Sequence, residues 1–132
     1  MKRDIANKED LLQILSAFYS KAVADETIGY FFTDVIQLDI PTHLPVIAAF
    51  WDAVVFGKSG YSKNIMQVHQ HIHQLSVITP QHLQRWVLLF TTTIDEFFEG
   101  ENATLMKHRA ASIATMMNLK LNHSPIPLKQ KP

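Results

Sequence analysis

The stretch Thr79-Pro-Gln-His82-Leu-Gln-Arg85-Trp86-Val-Leu-Leu-Phe90-Thr-Thr-Thr-Ile94-Asp-Glu-Phe97-Phe98-Glu-Gly100 decides the fold class. Threonine followed by proline is a helix start. The hydroxyl accepts a backbone N–H that the first turn leaves orphaned, and proline fits the first helical position because its missing N–H would have had no partner there. From that point Leu83, Trp86, Val87, Phe90, Ile94, Phe97 and Phe98 recur every three or four residues, so they share one face of an α-helix. A strand would alternate every second residue. Gly100 marks the expected stop.

The same period extends in both directions. Downstream, a helix over about 102–121 places Met106, Ala110, Ile113, Ala114, Met117 and Leu121 on one stripe. Upstream, Asn7 is a natural N-cap with Glu9 and Asp10 in the first turn, followed by Leu11, Ile14, Leu15, Phe18, Tyr19, Ala22 and Val23 at helical spacing. Gly29 interrupts, and Ile28–Phe32 reads as a short helical turn feeding a loop through Asp39. A second helix starts near Pro41 and runs through Ile47, Phe50, Trp51 and Val54 to Gly57. Gly60 and Tyr61 make a turn, and a shorter helix covers about 64–73. No segment alternates, repeats or reads as a linker, which predicts one all-α domain over residues 1–122. The tail HSPIPLKQKP, with prolines at 125, 127 and 132, cannot continue a helix and is expected to be flexible.

Composition narrows the function. At 132 residues with 47% hydrophobic and 18% charged side chains, the chain can build a real core and is too apolar for intrinsic disorder. Twelve Lys+Arg against twelve Asp+Glu leave no net charge, which argues against a nucleic-acid binder working by counterion release. The absence of cysteine removes disulfides, thiolate metal sites, cysteine nucleophiles and covalent c-type haem attachment together. The opening MKRDIANKEDLL has no apolar signal-peptide core, and no apolar run reaches the roughly 18 residues of a membrane span. A cytoplasmic protein without membrane contact is the expectation.

Seven histidines remain to be explained: His43, His69, His71, His73, His82, His108 and His123. In NIMQVHQHIHQL three of them alternate, so on a helix they point in different directions. His69 has Ile65, Met66 and Ile72 as its neighbours at three and four residues, whereas His71 has Gln67 and Gln74 among its own. His69 is therefore the imidazole in the apolar stripe. Burying it unpaired would cost about 1–3 kcal/mol, so it needs a partner, which can be a metal or simply a backbone carbonyl. His69 and His73 form an i, i+4 pair suited to zinc, but Gln70 stands where a metalloprotease carries its general-base Glu, and no cysteine completes a structural site. His43, Tyr19 and Trp86 each put a polar tip on an otherwise apolar face, the composition of a pocket that is greasy by bulk with a few placed donors. Each is equally a usual core residue whose tip finds a local partner. His71, His82, His108 and His123 read as surface.

Taken together, an ordered set of motifs resembles a known family. Phe18-Tyr19, His43 seven residues before Phe50-Trp51, then Tyr61, Met66-x-x-His69, Arg85-Trp86 and Leu89-Phe90-x-x-Thr93 are similar to the truncated haemoglobins. The absence of any Gly-Gly pair makes the chain look most like group III, and the resemblance spans about Asp4 to Met117.

The resemblance implies a truncated globin fold, a two-over-two helical sandwich around non-covalent haem b. His69 would be the proximal iron ligand. Tyr19 and Trp86 would donate hydrogen bonds to a bound diatomic ligand, with His43 at the distal gate and Ile47 beside it. Phe50, Trp51, Tyr61 and Met66 would contact the haem, and Lys63, Arg85 and His73 would meet its propionates. The unmetallated nitrogen of His69 should donate to a carbonyl one turn back, near Ile65 or Met66. Strong distal donors would favour capture, detoxification or redox chemistry with dioxygen, nitric oxide or peroxide over bulk oxygen transport. Turnover would need an external reductase, and a monomer or weak dimer is expected. The rival classes are a non-haem metal binder using His69 and His73, and a purely structural helical interaction domain.

Overall fold

A computed structural model describes residues 1–58 and 65–122. The expected turn at Gly60 and Tyr61, Lys63, and the tail from His123 onward lie outside the described residues. Those described form five α-helices and one π-helical turn, with no strand among them.

Each helix begins and ends for local reasons. Helix α1, Lys8–Ala24, starts where the Asn7 side chain accepts the Asp10 N–H at 3.0 Å, with Glu9 and Asp10 in the positive first turn. Asp25 ends it in an extended conformation and accepts the N–H groups of Thr27 and Ile28 with its own carboxylate. The expected short helical turn is a π-turn at Phe31–Val35. Helix α2, Ile40–Phe56, tolerates two prolines because Pro41 lies in its first turn and Pro45 is exposed, so the carbonyl that Pro45 cannot bond meets water. Gly57 stops it at φ +68°, a left-handed conformation that glycine adopts at no steric cost. Helices α3, α4 and α5 cover Ile65–Leu75, Pro80–Phe97 and Glu101–Asn122.

The boundary between the last two differs from the sequence expectation. Helix α4 stops at Phe97, with Phe98 extended, and Gly100 belongs instead to the start of α5. The reason is remote in sequence: the Asp4 carboxylate caps α5, accepting the N–H groups of Asn102 and Ala103 at 2.9 Å each. Gly100 sits at φ +149° against that carboxylate, where any Cβ would collide with it.

Helix α1 packs on α2 and on α4, α4 packs on α5, and α2 packs on α5, which is a two-over-two sandwich. Its centre is Leu11, Ile14, Leu15 and Phe18 of α1, Trp51 of α2, Phe90 and Ile94 of α4, and Met106 of α5, all essentially inaccessible. Alanines 22, 48 and 110, equally buried, let the helix axes approach closely. Helix α3 stands apart: it rests on α5 and has no buried residue. No described helix is long and apolar enough to cross a membrane.

Candidate functional site

What α3 faces is a cavity of about 490 Å³, within the range of small-molecule and cofactor sites. Ile65, Val68, His69 and Ile72 line it, spaced so that one whole stripe of α3 turns toward it. The helix thus turns much of its apolar face to the cavity, with Ile65, Met66 and Ile72 also touching the edge of the core.

His69 is the polar group of that stripe. Its Nδ1 lies 2.9 Å from the Ile65 carbonyl oxygen, so Nδ1 carries the proton and donates. Nε2 is then the bare nitrogen and is left to the cavity. Burial disfavours the charged ring and lowers its pKa, only partly opposed by the bond to Ile65. The arrangement holds a neutral imidazole in one tautomer, aimed by its own helix, as expected from the sequence.

The wall formed by α1, α2 and α4 holds the other polar tips. Tyr19 Oη and His43 Nε2 are 2.9 Å apart and hydrogen-bonded. Burial pushes the Tyr19 phenol above its ordinary pKa, so it stays protonated, and its proton is free for a second partner when His43 Nε2–H is the donor in that bond. Trp86 stacks on Phe90 with 5.1 Å between ring centroids, Phe90 stacks in turn on Trp51 at 5.2 Å, and Phe18 meets Phe90 edge-on at 5.2 Å. That ladder ties Trp86 to the immobile centre of the core. Ile47, Phe50 and Trp51 complete this side of the lining.

The structure therefore brings Tyr19, His43, Ile47, Phe50, Trp51, His69 and Trp86 to one cavity. Three expected site residues are not on its wall. Met66 packs against the core's edge instead. His73 turns its Nδ1 to accept the Ile78 N–H at 2.9 Å, closing the C-terminal end of α3. Arg85 pairs with Asp25 at 2.7 Å, holding that carboxyl below its usual range. Tyr61 and Lys63 lie outside the described residues. Among the described residues no three His, Asp or Glu side chains gather as a metal site, so nothing there completes a zinc centre with His69 and His73.

One histidine is corrected. His82 is not a surface residue but a half-buried part of the cavity wall. Its Nδ1 accepts the Thr79 N–H at 3.0 Å while Thr79 Oγ1 accepts the His82 N–H at 3.2 Å, a reciprocal capping box at the start of α4. The visible signal was Thr79 three residues before it; the box usually carries Glu or Gln there, and a histidine did not suggest it. Phe31 and Phe32, on the π-turn, also line the cavity without having been singled out. Asp39 and Thr42, hydrogen-bonded to each other at 2.8 Å, complete the polar part of the lining.

The helix order and the two-over-two packing, with a histidine opposite an aromatic and phenolic wall, make a truncated globin fold. A crystal structure of a group III truncated haemoglobin from Campylobacter jejuni is similar to the chain with a TM-score of 0.80, over 95% of this chain and 98% of that one, at 22% sequence identity. No family model matches the sequence, and no curated protein does.

Proposed function

We propose that the cavity holds non-covalent haem b with His69 as the proximal ligand, and that the protein captures or chemically transforms a diatomic ligand, dioxygen, nitric oxide or carbon monoxide. The observation that carries this reading is the His69 ring, with Nδ1 committed to Ile65 and Nε2 left to a large apolar cavity. A neutral imidazole oriented by a backbone carbonyl is the donor that haem iron takes in globins. The rest of the lining fits as well, since aromatic and aliphatic side chains suit a flat, mostly apolar macrocycle held without covalent bonds.

Bound haem would supply an iron with an open coordination position, five-coordinate or weakly six-coordinate, and its one-electron chemistry. The chain's own residues decide what happens beside it. Tyr19 and Trp86 carry the O–H and N–H donors to hold a small polar ligand, and His43 fixes the Tyr19 hydroxyl. Ile47, Phe50 and Trp51 exclude water and strengthen those bonds by lowering the local dielectric. Lys63, Arg85 and His73 are the cations proposed to meet the propionates; without haem, Arg85 pairs with Asp25 and His73 Nδ1 accepts the Ile78 N–H. Firm donors favour retention, so capture, detoxification or redox chemistry fits better than bulk oxygen transport. Turnover with nitric oxide or peroxide draws electrons from an external reductase, and the protein works in the cytoplasm as a monomer or weak dimer.

Titration of the purified protein with haemin tests the assignment. A saturable Soret band at one haemin per chain is expected, with the histidine-ligated spectrum lost in His69→Ala. A protein that takes up no haemin refutes it.

A further inference from the structure

His82 is a polar wall residue for which the haem reading has no use. Both its ring nitrogens are occupied, Nδ1 by the Thr79 N–H at 3.0 Å and Nε2 by the Tyr30 hydroxyl at 3.3 Å. Because Nδ1 accepts, Nε2 carries the proton and donates to Tyr30 Oη. The ring also stands edge-on to Phe31, with centroids 4.8 Å apart. His82 thus fastens the first turn of α4 to residues 30 and 31. Three positions further on, Arg85 fastens the next turn to Asp25, whose carboxylate also accepts the Thr27 and Ile28 N–H groups. Both attachments land on the short segment 25–31, and Trp86 lies one turn beyond His82 on the same face of α4.

We infer that His82, with Tyr30 as its anchor and Arg85–Asp25 beside it, is a positioning residue that sets the place of the Trp86 indole in the cavity. Phe90 holds Trp86 from one side by stacking at 5.1 Å, but stacking leaves the ring free to slide in its plane. The His82–Tyr30 bond fixes how deep the N-terminal half of α4 sits, and with it the height of the indole N–H. With both ring nitrogens bonded, His82 keeps neither for a ligand in the cavity. For ligand binding this inference rests on the haem reading; for the indole it stands alone.

Two measurements keep the two apart. Trp51 and Trp86 are the only tryptophans, so in a Trp51→Phe background the emission reports Trp86 alone, with no haemin added. Time-resolved anisotropy should show a fast component in Tyr30→Phe and a larger one in His82→Leu. Thr79→Ala, which removes a helix cap but leaves the Tyr30 anchor, should destabilise the fold without adding that component. An anisotropy decay unchanged in both Tyr30→Phe and His82→Leu overturns the inference, whatever haemin does. With haemin bound, Tyr30→Phe should raise the dioxygen dissociation rate about two- to tenfold in the wild-type background and leave it unchanged in Trp86→Phe, since a residue acting through Trp86 loses its effect once the indole is gone. Equal changes in both backgrounds contradict it.

Discussion

Helices α3 and α4 each bring a decisive side chain to the same cavity, and they are held in opposite ways. Helix α4 begins with a complete capping box, is clamped to the segment after α1 by His82 and Arg85, and sends Phe90, Thr93 and Ile94 into the core. Helix α3 has no buried residue, rests on α5, and turns its apolar stripe to the cavity. Trp86 is therefore positioned by protein, whereas His69 sits on an element that rests on α5 and the core's edge and leaves the rest of its apolar stripe to the cavity. On the haem reading, a site built this way would combine a wall fixed by the protein's own packing with a wall completed by the cofactor.

The largest consequence concerns α3 itself. Without haemin, amide hydrogen exchange should find α3 barely protected and α4 among the slowest segments, because local stability follows burial. A ligand present at 100 times its dissociation constant stabilises the form that binds it by about 2.7 kcal/mol, so haemin should slow exchange roughly a hundredfold in every segment whose opening destroys the cavity, α3 included. Equal protection of the two helices without haemin would break the contrast. Next in size are the donors on the rigid wall. Tyr19→Phe and Trp86→Phe should each raise the dioxygen dissociation rate by about 2- to 13-fold, the equivalent of one hydrogen bond of 0.5–1.5 kcal/mol. Unchanged rates would mean that neither donor reaches the ligand.

Smaller still, Thr79→Ala should cost about 1 kcal/mol in denaturant unfolding, the usual value of an N-cap hydroxyl. The pH dependence sharpens the comparison last. His69 and His82 both have pKa values lowered by burial below the ordinary 6.5. The unfolded chain then binds more protons than the folded one between the folded values and 6.5, so stability is complete above pH 6.5 and declines as the pH falls through the folded values. Haemin-free protein should lose stability over that window, and His82→Leu should flatten the decline. Thermal unfolding from pH 7.5 to 5 measures both.

Much of this architecture is legible in the chain because its signals are local. The stripe from Leu83 to Phe98, the Asn7 and Thr79 caps and the glycine after Phe56 each act within a turn or two, and the structure carries helices in those places. The neighbourhood of His69 is legible for the same reason: a carbonyl one turn back is fixed by helix geometry, and Ile65 provides it. What escaped the sequence is long-range. Asp4 caps α5 from nearly a hundred residues away, which moved Gly100 from the end of one helix to the start of the next. Arg85 looked like a free cation, but Asp25 lies sixty residues earlier and only the fold brings it within 2.7 Å. His82 reads as a surface residue in the sequence, while Tyr30 and Phe31 meet it from another element.

The central claim is that His69 holds the iron of a haem in this cavity. Its most direct test is the absorption spectrum of the haemin-loaded protein, reduced with dithionite and then exposed to carbon monoxide, for wild type and His69→Ala side by side. The account predicts a histidine-ligated ferrous spectrum for wild type, a sharp Soret shift with one carbon monoxide per haem, and loss of the histidine-ligated ferrous form in the variant. Spectra that are the same for the two proteins would contradict it.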